Sequence, residues 1–482
     1  MSSPRGQFSS RIGFILAASG SAVGLGNIWG FPTNAAENGG GAFVLVYFLL
    51  AFCLAYPALM AELIIGRHTR ANMVSALQII SPGKTTRLLG KLTGFYGIIV
   101  AALILSFYGI VAGWMLAYLL EPMVSLSGMP ELANWLTEFS APRNLLFCAI
   151  FLVVTCAVIS AGVEHGIEKW SCRLMPALLA MMVFLIVYVL TQPGAVEGLK
   201  LYLIPDFSRI GDPKLILSAL GQAFFSLSLG VGTMLIYGSY LRPDDNLPAM
   251  GAIVTALDSS VAFLAGLLVL PAMFVARHQG VEIYTAQGTL MAGPDLIFQT
   301  LPALFQTMAG GTVVALLFFT LLSIAALTSS ISMLEVPVSY TLEQHVASRP
   351  MATWLSGAIV FAISTVIVMN FDTLFTVVVT LTTRYSQPLL GLMLCVFATW
   401  VWRRDQVLEE STAVVATINQ DILAGDVGCL SAAQERTGGA KFLDHTQPAG
   451  GQTGNNVPGR KPPAVTDQCG GAMTPLGIKE SR

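Results

Sequence analysis

The chain has 482 residues, of which 54% are hydrophobic and only 11% charged, with a formal net charge of −2. That charged share is about half of what a soluble domain carries, which excludes a water-exposed globular domain for most of the length and makes lipid the expected solvent. No basic patch with interleaved aromatics is present, so a nucleic-acid partner gets no support.

The first eleven residues read as a short cytoplasmic segment. The apolar run that follows is too long for a cleavable signal and continues into a glycine-rich stretch without a small-residue cleavage site. From there to residue 404 about ten apolar runs recur, each long enough to cross a hydrocarbon core as a helix. They lie near 12–36, 42–66, 94–121, 144–161, 174–192, 214–240, 250–276, 311–342, 352–369 and 374–402. We refer to them as spans 1 to 10. With the N-terminus inside, most Lys and Arg fall on the cytoplasmic side, including Arg67, Arg70, Lys84, Arg87 and Lys91, while Arg143, Lys200, Arg209, Lys214 and Arg277 fall outside. An even number of spans then returns the C-terminus to the inside. The loop 277–310, with GTLMAGPDLIFQTLPALF, is expected to hold a short helix over the outer mouth. Residues 405–482 are rich in Gly, Pro, Thr and Gln, contain no spanning run and read as a polar, disordered tail.

Two spans are interrupted in the same way. Span 1 reads AASGSAVGLGNIWGFP and span 6 reads GQAFFSLSLGVGTM, each with closely spaced Gly and Ser inside an apolar run. Unwinding a helix within lipid frees amides and carbonyls that lipid cannot satisfy, so such a break persists where it lines a cavity or binds something. Breaks at corresponding positions of two five-helix halves are the sequence sign of a binding site near the membrane midplane. Freed carbonyls suit a hard cation and the N-terminal end of the resumed helix suits a carboxylate. The seven cysteines sit mostly inside apolar spans with no metal-type spacing, and read as packing residues. No nucleophile, base and orienting group converge in the sequence, and the five His (His68, His165, His278, His345, His445) fall in predicted loops and the tail, so an enzyme is not expected.

The run GSAVGLGNIWGFP, followed by ENGGGAF, ELIIGR, GVEHGIEKWS, GQAFFSLSLGVG and LTSSISMLE, resembles the neurotransmitter:sodium symporter family, bacterial branch, over residues 8–402. The resemblance implies an all-α polytopic membrane protein with a five-plus-five inverted-repeat fold and unwound helices 1 and 6. It implies Na+ as the coupling ion. The first sodium site would use Ala22, Asn27 and Ser226, with Asp258 where leucine-carrying bacterial members have Asn. The second would use the carbonyls of Gly20, Val23 and Ala325 with the hydroxyls of Thr328 and Ser329. The substrate site would offer the Leu25 and Gly26 amides and the Tyr108 hydroxyl to a carboxylate, with Ile104, Phe225, Ser228, Val231, Ser329 and Met333 around a side chain. Gly24 stands where carriers of amines have Asp, so it is expected to leave space and no charge, and the substrate should bring its own carboxylate.

The sequence also departs from the family pattern. The outer charge pair is absent, its positions being Gly30 and Phe375, so the outer gate is expected to close by packing or through water. An inner pair survives as Arg5 with Glu343, near Tyr240. Of the chloride ligands of chloride-dependent members Tyr47 and Gln222 remain, but the Ser position is Ala262, and Asp258 one turn earlier can supply the negative charge. Arg384 is an intramembrane charge, either facing a cavity or paired with Glu335 or Glu62. The reading is a multi-pass protein of the bacterial inner membrane that carries neutral, largely apolar amino acids with sodium by alternating access, without chloride. The alternatives are a non-transporting amino-acid sensor on the same fold and a truncated, inactive relative. Which amino acid, the sodium stoichiometry, proton countertransport, the oligomeric state and the origin of the tail are not legible in the sequence.

Overall fold

The computed structural model describes residues 6–284, 290, 296–308, 310–344 and 348–402. The expectations for Arg5 and for the tail 405–482 lie outside these residues. Every described element longer than one turn is helical.

Span 1 is two helices, Arg11–Ala22 and Gly26–Glu37, bent by 51° at the break. Ser10 starts the first, its hydroxyl accepting from the Gly13 N–H at 2.9 Å. It stops where Val23 turns extended, with ψ 98°. Spans 2 to 5 are Gly41–Thr69, Lys84–Leu126, Ala141–Ser160 and Val163–Leu190. Span 6 is again broken, into Pro213–Ser226 and Thr233–Gly238. Between them Ser228, Gly230 and Gly232 take left-handed φ values of 53°, 86° and 81°. A serine held there is strained, and such strain concentrates at functional sites. Spans 7 to 9 are Leu247–His278, Gly311–Glu343 and Arg349–Met369. Span 10 runs over 371–401 as consecutive helical pieces, with wide turns bonded five residues apart at Thr380–Ser386 and Phe397–Val401.

Seven of the described helices are long and apolar enough to cross a membrane, or eight if the bent pair of span 1 counts as one. Spans 6 and 10 complete the expected set but are not among them. Neither half of span 6 is long enough alone, and span 10 is made more polar by the stretch Thr380–Ser386, which carries Arg384. Span 3 begins at Lys84 instead of near 94, because Lys84, Arg87 and Lys91 are exposed and lengthen the helix through polar surroundings that an apolar-run criterion ignores. Span 5 likewise begins before 174. There Glu168 is buried, and accepts from the Ser9 N–H at 2.7 Å, the Ser9 hydroxyl at 2.6 Å and the Ser10 hydroxyl at 3.1 Å, tying the N-terminal segment to span 5. His68 is in the last turn of span 2, His165 in the first turn of span 5 and His278 at the end of span 7, so these three are helical where loops were expected. The loop 277–310 does contain short helices, Leu296–Thr300 and Leu301–Thr307.

Large apolar side chains face outward along several spans, among them Leu49, Phe184, Val187, Ile359 and Leu392. Such a surface would aggregate in water, whereas in a bilayer it costs nothing. Inside, span 3 packs on spans 4 and 8, the first half of span 1 on spans 5, 7 and 8, and span 10 on span 2 and the first half of span 6. The two breaks thereby meet in the middle of the bundle.

Candidate functional site

The breaks of spans 1 and 6 line, with spans 3, 8 and 10, a narrow pocket inside the bundle. All the expected substrate residues line it: Leu25 and Gly26 from span 1, Ile104 and Tyr108 from span 3, Phe225, Ser228 and Val231 from span 6, Ser329 and Met333 from span 8. Ala22, Gly24 and Gln387 complete the wall. The Leu25 N–H donates to the Tyr108 hydroxyl at 3.3 Å, so amide and phenol converge on one point. The Ser228 hydroxyl reaches across to the Ser21 carbonyl at 3.0 Å and joins the two breaks.

Gly24 does not leave space. A Cβ there would fall 2.3 Å from Ser329 Oγ and 2.9 Å from the Tyr108 hydroxyl. Any side chain at position 24 must therefore displace Ser329 and Tyr108.

The residues expected at the first sodium site form one buried polar cluster. Asp258 is fully buried and accepts from Asn27 Nδ2 at 2.7 Å, from Ser226 Oγ at 2.8 Å and from the Tyr47 hydroxyl at 3.3 Å. Asn27 Nδ2 also donates to the Asp258 carbonyl at 3.1 Å, and its Oδ1 accepts from the Gly24 N–H at 3.2 Å. Ala22 ends the first half of span 1, two residues before Gly24. Gln222, the other remaining chloride-type residue, donates instead to the Gly26 carbonyl at 2.7 Å and accepts from Asn34 at 2.9 Å.

At the second set the Ser329 hydroxyl lies 3.3 Å from the Val23 carbonyl and 3.5 Å from that of Gly20, and Thr328 Oγ1 lies 3.1 Å from the Ala325 carbonyl. Hydroxyls, carbonyls and a single carboxylate are hard oxygen donors that hold a small cation loosely enough to release it. No group of three His, Cys, Asp or Glu suited to a transition metal occurs among the described residues.

Two polar residues escaped the sequence reading. Glu62, considered there only as a partner for Arg384, accepts from the Gly230 N–H at 2.6 Å and the Leu235 N–H at 3.2 Å. It thus satisfies amides freed by the break in span 6. Gln387, in span 10, lines the cavity. The signal for both was a polar side chain inside an apolar run. Arg384 is exposed and pairs with neither acid, since Glu335 takes Arg349 at 2.6 Å and the Tyr240 hydroxyl at 2.5 Å. Tyr240 therefore contacts Glu335, while Glu343 accepts from the Asn72 N–H at 2.7 Å.

Above the cavity, at the end expected to face outside, aromatic rings replace the missing charge pair. Phe375 packs on Phe371 at 4.6 Å, on Trp114 at 5.9 Å and on Phe107 at 6.2 Å between ring centres. Phe298 of the short helix meets Trp114 at 5.5 Å and Trp29 at 6.3 Å. Trp114 is fixed by its indole N–H on Asn144 Oδ1 at 2.9 Å, which also accepts from the fully buried Arg143 at 2.9 Å. Arg143 further donates to the Leu136 carbonyl at 2.7 Å and lies 5.2 Å from the Phe139 ring. Its carboxylate-free setting among the described residues makes it a scaffold for these aromatics. Arg143→Ala is expected to destabilise the protein by about 2 kcal/mol or more, because buried acceptors lose their donor. Arg143→Lys should recover little, lacking the planar fork. A melting-temperature comparison of the purified variants checks this, and a wild-type value for Arg143→Ala refutes the scaffold role.

The sequence profile of the Sodium:neurotransmitter symporter family matches residues 5–139 and 129–410. The chain is 38% identical over 362 residues to the uncharacterized sodium-dependent transporter YhdH of Bacillus subtilis, covering 74% of this chain and 77% of the relative. It is 28% identical over 392 residues to the sodium- and chloride-dependent taurine transporter of Bos taurus, covering 71% of this chain and 61% of that protein. Among solved structures, MhsT in complex with L-phenylalanine is similar with a TM-score of 0.74 and 36% identity, covering 85% of this chain and 93% of MhsT. The likeness gives the five-plus-five inverted-repeat transporter architecture, and family and relatives alike identify Na+ as the coupling ion. The chain belongs to the sodium:neurotransmitter symporter family, a family of sodium-coupled membrane transporters and not of enzymes.

Proposed function

We propose that the chain carries neutral, largely apolar α-amino acids together with sodium across a bacterial inner membrane, N-terminus inside, by alternating access around the Leu25–Gly26 break, and without chloride. The observation that carries this reading is the cavity between two helix breaks, with a donor pair for a carboxylate at Leu25 and Tyr108 and an apolar wall of Ile104, Phe225, Val231 and Met333. A relative crystallised with L-phenylalanine supports an amino acid with a large apolar side chain. Tyr108 turns its hydroxyl from accepting the Leu25 N–H to donating to the substrate carboxylate. The two oxygen sets flank that point, so sodium and substrate stabilise the same arrangement of spans 1, 6, 7 and 8. Binding each in one arrangement better than in the other is what shifts the population and couples the fluxes.

Uptake by proteoliposomes with and without an inward sodium gradient tests the reading. Accumulation against a gradient only with sodium is expected, and binding without accumulation would identify a sensor. For specificity, leucine, methionine and aromatic amino acids should compete for uptake, while their decarboxylated amines should compete at least about tenfold less. Losing a charge-assisted hydrogen bond costs about 1.5–3 kcal/mol. Equal competition by an amine and its parent amino acid would show that Leu25 and Tyr108 do not hold a carboxylate. A charge introduced at Gly24 is a poor substitute for this comparison, because any side chain there displaces Ser329 and Tyr108.

A further inference from the structure

Gln387 has no role in the amino-acid reading, yet it is 2% exposed and lines the cavity. Its Nε2 donates to the Phe224 carbonyl at 3.4 Å, while its Oε1 has no hydrogen-bond partner among the described residues. That contact favours this direction of the amide, because the opposite flip would set two carbonyl oxygens against each other. The position is fixed as well. A wide turn over Thr380–Ser386 ends at Gln387, and the Gln387 carbonyl abuts Gly230 so closely that a Cβ on Gly230 would come within 2.3 Å of it. Span 10 is thereby clamped onto the break of span 6. A buried acceptor left unpaired is costly, and native proteins seldom leave one without a reason.

We propose that Gln387 reads the side chain of the substrate by accepting a hydrogen bond from it, so that the site prefers amino acids whose apolar body carries an N–H or O–H donor. The proposal rests on the amino-acid reading above. The donor is assigned to the side chain and not to the α-ammonium on grounds of connectivity. The ammonium shares a carbon with the carboxylate and travels with it to Leu25 and Tyr108 on spans 1 and 3. Gln387 is anchored on span 6, whose Phe225 and Val231 form the apolar wall. Of the apolar-bodied amino acids, tryptophan and tyrosine bring such a donor, whereas leucine, methionine and phenylalanine do not. A site that hydrogen-bonds a substrate group discriminates against the analogue lacking it more strongly than an apolar pocket resolves a methylene.

The test is sodium-dependent equilibrium binding to the purified full chain, using two pairs of probes. Tryptophan is compared with benzothienylalanine, in which sulfur replaces the indole N–H in a ring system of the same shape, and tyrosine with phenylalanine. The expected result is a preference of about tenfold for the donor-bearing member of at least one pair, the size of one buried hydrogen bond. Gln387→Met, similar in volume and lacking the acceptor, should abolish that preference, read as the ratio of affinities within each pair. Gln387→Glu keeps an acceptor and should keep the preference. Equal affinities within both pairs for the wild type would overturn the role of Gln387, and so would a preference that survives in Gln387→Met. These wild-type comparisons decide even if a variant fails to fold. If phenylalanine itself shows no sodium-dependent binding, the amino-acid reading falls and takes this proposal with it; phenylalanine binding without discrimination refutes Gln387 alone.

Discussion

Thr328→Val and Asn27→Leu are each expected to abolish sodium-driven uptake, for reasons that differ in the structure. Among the described residues Thr328 Oγ1 bonds only within its own helix, to the Ile324 and Ala325 carbonyls at 3.1 Å. Valine preserves volume and leaves those carbonyls in the helical ladder, so the fold should survive. What disappears is one oxygen of the set formed with Gly20, Val23, Ala325 and Ser329. At about 1.5–3 kcal/mol for an oxygen facing a charge, sodium affinity should fall by roughly 10- to 100-fold. Asn27→Leu removes more. It takes the amide from Asp258 and from the Gly24 N–H together, so the buried carboxylate loses its shortest hydrogen bond. The measurement is uptake against sodium concentration. Undiminished transport by both variants, or full wild-type uptake in sodium-free buffer, would remove these residues from the coupling mechanism.

Replacing chloride by gluconate is expected to leave wild-type uptake unchanged, while Asp258→Asn should lose roughly 100-fold in sodium affinity. The carboxyl group of Asp258 is bracketed by Tyr47, Ser226 and Asn27, so an acid occupies the centre of the polar cluster and can supply the negative charge beside sodium. A unit charge about 5 Å from sodium contributes on the order of 3 kcal/mol at an effective dielectric near 20. Tyr47 and Ser226 stay in place in Asp258→Asn, and Ala262 lies one helical turn further along the same span. Adding Ala262→Ser supplies the hydroxyl that chloride-dependent members use. The double variant should therefore transport with chloride and fail without it. A wild type that already stops in gluconate refutes the charge-substitution argument, as does a double variant indifferent to the anion.

Much of this architecture was legible in the chain because lipid makes simple demands. Apolar length marks a span, and Gly and Ser inside a span mark a break, which is why residues 23–25 and 227–232 could be anticipated from AASGSAVGLGNIWGFP and GQAFFSLSLGVGTM. The cavity wall was legible through the family resemblance, since no periodicity singles out Ile104 or Met333 from other apolar residues in their helices. What stayed hidden depends on packing between distant elements. Gly24 was read as open space, yet span 8 fills it with Ser329. Arg143 was counted as an external charge, yet it is fully buried under Leu136 and Phe139. The starts of spans 3 and 5 were placed too late because exposed lysines and a buried Glu168 both read as polar in the sequence.

The carboxylate of Glu62 has a kinematic consequence. By holding the Gly230 and Leu235 amides it takes the place of the carbonyls that a continuous helix would have offered, so the opening in span 6 is a permanent joint and not a segment that melts and re-forms. Rewinding the segment would strand the acid in hydrocarbon, and pulling span 2 away would strand the amides. Span 2 and the second half of span 6 must therefore travel as one rigid body. In the alternating access proposed above, the pivoting would fall on the first half of span 6 and on the remaining joint at Val23, whose partner across the gap is the Ser329 hydroxyl, which can let go at little cost.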